Sequence, residues 1–67
     1  MTIARSTEIT ASSKKSFDDA IQSGIKRATK TLRQVSAAWV SDQEVMIEND
    51  KIVEYRVRMK ITFLLEK

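Results

Sequence analysis

The sequence predicts an α+β fold in the order strand, helix, strand, strand (β-α-β-β), and three observations predict it. From Val53 to Leu65 an apolar residue stands at every second position (Val53, Tyr55, Val57, Met59, Ile61, Phe63, Leu65), with Glu54, Arg56, Arg58, Lys60 and Thr62 between them. That alternation marks a two-faced strand. Phe17, Ala20, Ile21, Gly24, Ile25, Ala28 and Leu32 recur at spacings of three and four, one stripe of a helix suited to lying on a sheet. Asn49-Asp50 is the turn-forming dipeptide between Val35–Glu48 and the alternating strand, so the last two strands form a hairpin.

Taken in order, Thr2 to Thr10 gives a weaker strand signal: Ile3, Thr7 and Ile9 alternate with polar residues, and Ala11-Ser12-Ser13 marks the stop. Ser16 then precedes Phe17, with Asp19 three residues on. This is an approximate capping box, in which the serine hydroxyl accepts from an unpaired helix amide and the carboxylate answers. The helix is expected to run from there to Arg33 or Gln34. Gly24, the single glycine, lies inside the apolar stripe, where it costs about 1 kcal/mol against alanine. A close approach of helix to sheet offsets that cost.

A two-residue loop at Asn49-Asp50 sets the hairpin register. It pairs Glu48 with Lys51, Met46 with Val53, Val40 with Met59 and Ala38 with Ile61. Trp39 then stands opposite Lys60 and Ala37 opposite Thr62, on the face turned away from the helix. The same count brings Asp42 and Glu44 inward against Val57 and Tyr55. Burying those carboxylates is costly, so a bulge or an exposed strand end is expected near Ser41 to Gln43.

Size constrains what such a fold can do alone. The 67 residues make one domain, 1–67, and a domain this short buries only about 60% of its unfolded surface. The last strand spans roughly 40 Å, more than one helix covers. With no cysteine and no histidine, disulfides and thiolate or imidazole metal sites are excluded, and oligomerisation remains as the stabilising device. The absence of cysteine and of an apolar stretch in MTIARSTEIT fits a cytoplasmic protein. No run of 18 apolar residues suggests a membrane span.

The net charge of +3 does not point to nucleic acid. Lys26, Arg27, Lys30 and Arg33 fall in the second half of the helix and Asp18 and Asp19 in its first turn, the arrangement that the helix dipole prefers, and no exposed aromatic or reading motif accompanies them. Catalysis is not expected either: there is no glycine-rich phosphate loop and no carboxylate pair spaced for acid and base work.

The uncovered sheet face carries Trp39, the single tryptophan. An indole held on a rigid strand offers a stacking surface to a planar ring, and a nearby symmetry axis supplies a second copy for a sandwich. Arg56, Arg58 and Lys60 share that face and present donors to carbonyls or a phosphate. The other reading of Trp39 is an anchor in an oligomer interface.

Thr10-Ala11-Ser12-Ser13 leading to Ser16-Phe17, Ala28-Thr29-Lys30-Thr31-Leu32-Arg33-Gln34-Val35, and Val53-Glu54-Tyr55-Arg56-Val57 with Phe63-Leu64-Leu65 together resemble the dodecin family of small flavin-binding proteins. The resemblance implies a three-stranded antiparallel sheet partly wrapped around one helix, and a hollow homododecamer of four trimers. It also implies flavin (riboflavin, FMN or a related isoalloxazine) stacked between tryptophans of neighbouring subunits, for storage or sequestration. Stacked tryptophan donates an electron rapidly, so the photochemistry of a bound flavin would be quenched.

Two positions depart from that pattern. The family's stacking tryptophan falls at Ala37, whereas this chain has Trp39, on the same face but about 7 Å along the strand. The family's flavin-bonding glutamine falls at Arg56, which donates but cannot accept; Gln43, near Arg56 in the expected register, offers an acceptor. The expected site is therefore Trp39, Ala37, Arg56, Arg58 and Gln43. The alternative is a dodecin-fold shell that has lost or changed the flavin site and acts as a structural assembly or binds another small anion or cation.

Overall fold

The computed structural model describes residues 2–65. Its elements are β1 (Ala4–Ser13), α1 (Phe17–Thr31), β2 (Val35–Glu48) and β3 (Lys51–Leu64). The strands form one antiparallel sheet in the order β1-β3-β2, so the strand with the strongest alternation is the central one. The expected β-α-β-β fold is present.

The bounds of β1 and of the helix move. β1 begins at Ala4 and continues through Ala11-Ser12-Ser13, because pairing with β3 persists to Ser13 opposite Tyr55. Small polar residues read as a stop along the chain, yet a neighbouring strand holds them extended. The helix ends at Thr31 rather than at Arg33 or Gln34. Leu32 already has extended angles while its N–H still donates to the Ala28 carbonyl, and Gln34, at φ 57°, turns the chain into β2.

Ser16 caps α1 as expected: its Oγ accepts from the Asp19 N–H at 3.0 Å, and Asp18 and Asp19 lie in the first turn, where negative charge suits the dipole. The reciprocal half of the capping box is replaced. The Asp19 carboxylate accepts instead from the Ser13 hydroxyl at 2.6 Å, tying the end of β1 to the start of the helix.

Both turn residues of the hairpin have positive φ, 52° at Asn49 and 65° at Asp50, as a type I′ turn requires. Three irregularities follow. Between Ile47 and Met46 the register shifts, so Met46 faces Glu54 instead of Val53. A second shift between Val40 and Asp42 restores the expected pairs Val40 with Met59, Trp39 with Lys60, Ala38 with Ile61 and Ala37 with Thr62. The bulge near Ser41 is therefore present, and it acts together with the unforeseen one. The stretch between the two carries Asp42 and Glu44 opposite Arg58 and Arg56, on the outer face, where neither carboxylate is buried. A third shift skips Ser36. The two skipped serines of β2 each donate to a β3 carbonyl, Ser41 to Arg58 and Ser36 to Thr62.

The core lies between α1 and the β1–β3 half of the sheet. Ala20 and Ala28 of the helix and Val57, Met59 and Ile61 of β3 are buried, with Ile9, Ala11, Phe17, Ile21, Leu32, Val35 and Val40 packed around them. Gly24 makes the close approach that its position suggested: a Cβ there would stand 2.6 Å from the Met59 methyl and 3.0 Å from the Ala11 Cβ. Phe17 meets Tyr55 edge to face at 5.2 Å. The hairpin runs on past this core. The molecule measures 51 × 19 × 14 Å, and Ile47 and Ile52 near its tip are 63% and 53% exposed.

Candidate functional site

The outer face of the sheet is a grid of side chains set by the register. β3 contributes Arg56, Arg58, Lys60 and Thr62; β1 lays Ser12, Thr10, Glu8 and Ser6 beside them. β2 lays Glu44, Asp42, Trp39 and Ala37 on the other side. The helix is on the opposite face, so none of the described residues covers this one.

At one end of the grid the charges are compensated. Arg56 Nη2 lies 3.1 Å from Glu54 Oε2 and its Nη1 3.7 Å from Glu44 Oε1, while its Nε donates to Ser12 Oγ at 3.4 Å. One guanidinium thus joins all three strands. The Ser12 hydroxyl first, and Arg56 second, hold the Glu54 carboxyl below its ordinary pKa. Arg58 Nη1 meets Asp42 Oδ2 at 3.2 Å. A shallow hollow of about 230 Å³ lies over these residues, lined by Thr10, Asp42, Gln43, Glu44, Arg56 and Arg58.

At the other end stands Trp39, 62% exposed, flanked along its own strand by Ala37. Opposite it, Lys60 Nζ lies 5.2 Å from the centroid of the indole ring, within reach of the ring's negative face. Thr62, opposite Ala37, shares a hydroxyl contact of 3.3 Å with Ser6. On the Ala37 side of the indole the grid therefore holds small side chains, and across from it one flexible lysine.

The five expected site residues fall into two groups. Trp39 and Ala37 are adjacent, as are Arg56 and Arg58 with Gln43 at the hollow, but four residues of β3 separate Arg56 from the partner of Trp39, about 13 Å. Gln43 does not sit opposite Arg56 as the simple register had it. The shift at Met46 pairs it with Val57 and gives its place to Glu44. Lys60, read in the sequence as part of the basic row and placed opposite Trp39 by the hairpin register, stands there with its ammonium over the indole.

The fold and this face together define a class: small α+β chains in which one helix covers one side of a three-stranded sheet and the other side is left open with an aromatic on it. The dodecin family model matches residues 3–66, and the chain belongs to the dodecin family. Among solved structures, the dodecin of Streptomyces davaonensis is 30% identical, with 98% of this chain and 97% of that chain covered and a TM-score of 0.91. The dodecin of Streptomyces coelicolor is 29% identical over 98% and 94% of the two chains, again at 0.91. A variant of the Thermus thermophilus dodecin is 28% identical with both chains covered in full, at 0.91. No curated protein matches the sequence significantly.

Two further observations bound the site. Among the described residues no cluster of three or more acidic, histidine or cysteine side chains is placed to hold a metal. No helix of the described residues is long and apolar enough to cross a membrane.

Proposed function

We propose that this chain is a flavin-binding storage or sequestration protein that works as a hollow homododecamer, with the isoalloxazine ring stacked on Trp39 where subunits meet. The single observation that carries the reading is the exposed indole on a strand with no covering element. A large aromatic at 62% exposure has a face to offer, and stacking on such a face is worth about 1–3 kcal/mol per ring. Ala37 and Thr62 leave room beside it.

Assembly is supported by the shape of the chain. Its accessible surface is 5235 Å², against about 4,300 Å² for a compact monomer of its mass. Its radius of gyration is 13.8 Å, where about 11 Å is typical for this length. Ile47 and Ile52, exposed just behind the polar hairpin turn, add an apolar pair of the kind that other copies bury.

The residues fit a planar, partly polar ring. Trp39 would provide the apolar face, and the Arg56 and Arg58 guanidiniums, anchored by their carboxylates, would present fixed donors toward ring carbonyls from a neighbouring subunit. Gln43 at the hollow adds an acceptor. The chain's own contribution is to hold the ring, exclude water from its faces and place an electron-donating indole against it. Binding rather than turnover is the outcome, as the Asp42 and Glu44 carboxylates of this face are engaged with arginines, and a cytoplasmic setting fits a protein with no cysteine.

Trp39→Ala tests the reading. It should abolish quenching of riboflavin fluorescence while the particle keeps its mass. Loss of the particle with the substitution would make Trp39 an interface anchor instead.

A further inference from the structure

Trp39 does not stand bare: the row across the sheet at its level is Glu8 on β1, Lys60 on β3 and Trp39 on β2. Lys60 has a carboxylate on one side and an indole on the other. Its ammonium lies over the indole, and among the described residues it forms no salt bridge. The two arginines of the same face have carboxylate partners at 3.1–3.7 Å, so the uncompensated positive charge beside Trp39 comes from Lys60.

We propose that Lys60 determines the charge selectivity of the Trp39 site, favouring a planar ring ligand that carries a phosphate over its neutral counterpart. The inference rests on the flavin reading and goes beyond it in naming the ligand's charge and the residue that selects it. A ring that stacks on the indole takes the place now held by the ammonium, and the four-carbon stem lets that ammonium swing aside. With a phosphorylated ligand it moves to the phosphate in charge-assisted contact. With a neutral ligand it loses the indole and turns to Glu8, an exposed pairing of small value. Arg56 selects less, because a phosphate there must displace Glu44 and Glu54 from a guanidinium they already occupy.

The test is a pair of fluorescence-quenching titrations, FMN against riboflavin, on ligand-stripped assembled protein at low and physiological salt. Wild type should bind FMN about three- to fivefold more tightly at low salt, the scale of one exposed charge pair, and the ratio should shrink as salt shortens the Debye length. Lys60→Met should bring the ratio to unity with riboflavin still bound, and Lys60→Gln repeats the measurement with a polar end should methionine disturb assembly. Lys60→Arg should preserve the preference. A ratio unchanged in Lys60→Met, or one that collapses in Arg56→Gln instead, overturns the assignment to Lys60 and leaves the flavin reading standing. Quenching of neither flavin by wild type overturns both.

Discussion

The two faces of β3 are built from alternate residues of one strand and obey different rules. Val57, Met59 and Ile61 point to the helix and are wholly buried; Arg56, Arg58 and Lys60 point away and remain in contact with water. Shape decides the inner face, where every atom has neighbours and a methylene is felt. Charge and exposure decide the outer face, where ion pairs are worth little to folding and an exposed indole has one lysine ammonium over its ring. The difference teaches where each property resides: the monomer's fold depends on the inner side, and the proposed recognition on the outer.

Substitutions can break or sharpen that contrast. The largest effect on stability is expected from Met59→Ala, which leaves a cavity at the centre of the core and should cost about 2–5 kcal/mol, read as a lowered denaturation midpoint in urea. A cost below that of an outer-face change such as Arg58→Ala would remove the distinction. Gly24→Val comes next. Its side chain meets the Met59 methyl and the Ala11 Cβ at less than contact distance, and overpacking of this kind costs about 1–3 kcal/mol, again visible as a shifted midpoint. Gly24→Ala sharpens the point, since the gain of about 1 kcal/mol in helix propensity offsets part of the clash and should leave a smaller loss.

Ser16→Ala removes the cap over the Asp19 N–H and should cost about 0.5–2 kcal/mol, measured by the same denaturation. The outer face should give the smallest changes. Glu54, whose folded pKa is lowered, contributes stability that is present above its unfolded value and is lost as pH falls through the folded one. Glu54→Gln should therefore flatten the acid side of a stability profile and leave the neutral side almost unchanged. An equal loss at both ends would show that Glu54 acts by packing.

Much of the inner face was legible in the sequence. Period-2 alternation gave β3, the three-and-four stripe gave α1, and Asn49-Asp50 placed the hairpin turn. The awkward inward placement of Asp42 and Glu44 signalled a bulge near Ser41, because a buried carboxylate is an energetic contradiction that the chain must resolve. The shift beside Met46 gave no such signal: Val53 fits the alternation perfectly well and is skipped only when the two strands are laid together. That single slip moves Gln43 away from Arg56 and puts Glu44 there, so the expected acceptor beside Arg56 became a salt-bridge partner. The extension of β1 through Ser13 and the capture of Asp19 by the Ser13 hydroxyl were hidden for a similar reason, since both depend on a strand more than forty residues away. Trp39 was found from the register, but the pairing of Arg56 and Arg58 with carboxylates, against a Lys60 that forms no salt bridge among the described residues, is visible only with side chains in place.

Riboflavin titrated into ligand-stripped wild-type protein, with flavin fluorescence and particle mass followed on the same sample, tests the central claim most directly. Strong, saturable quenching in a dodecamer-sized particle is the predicted result. A particle of that size with flavin fluorescence unchanged would contradict it, showing that the shell exists without a flavin site on the Trp39 face.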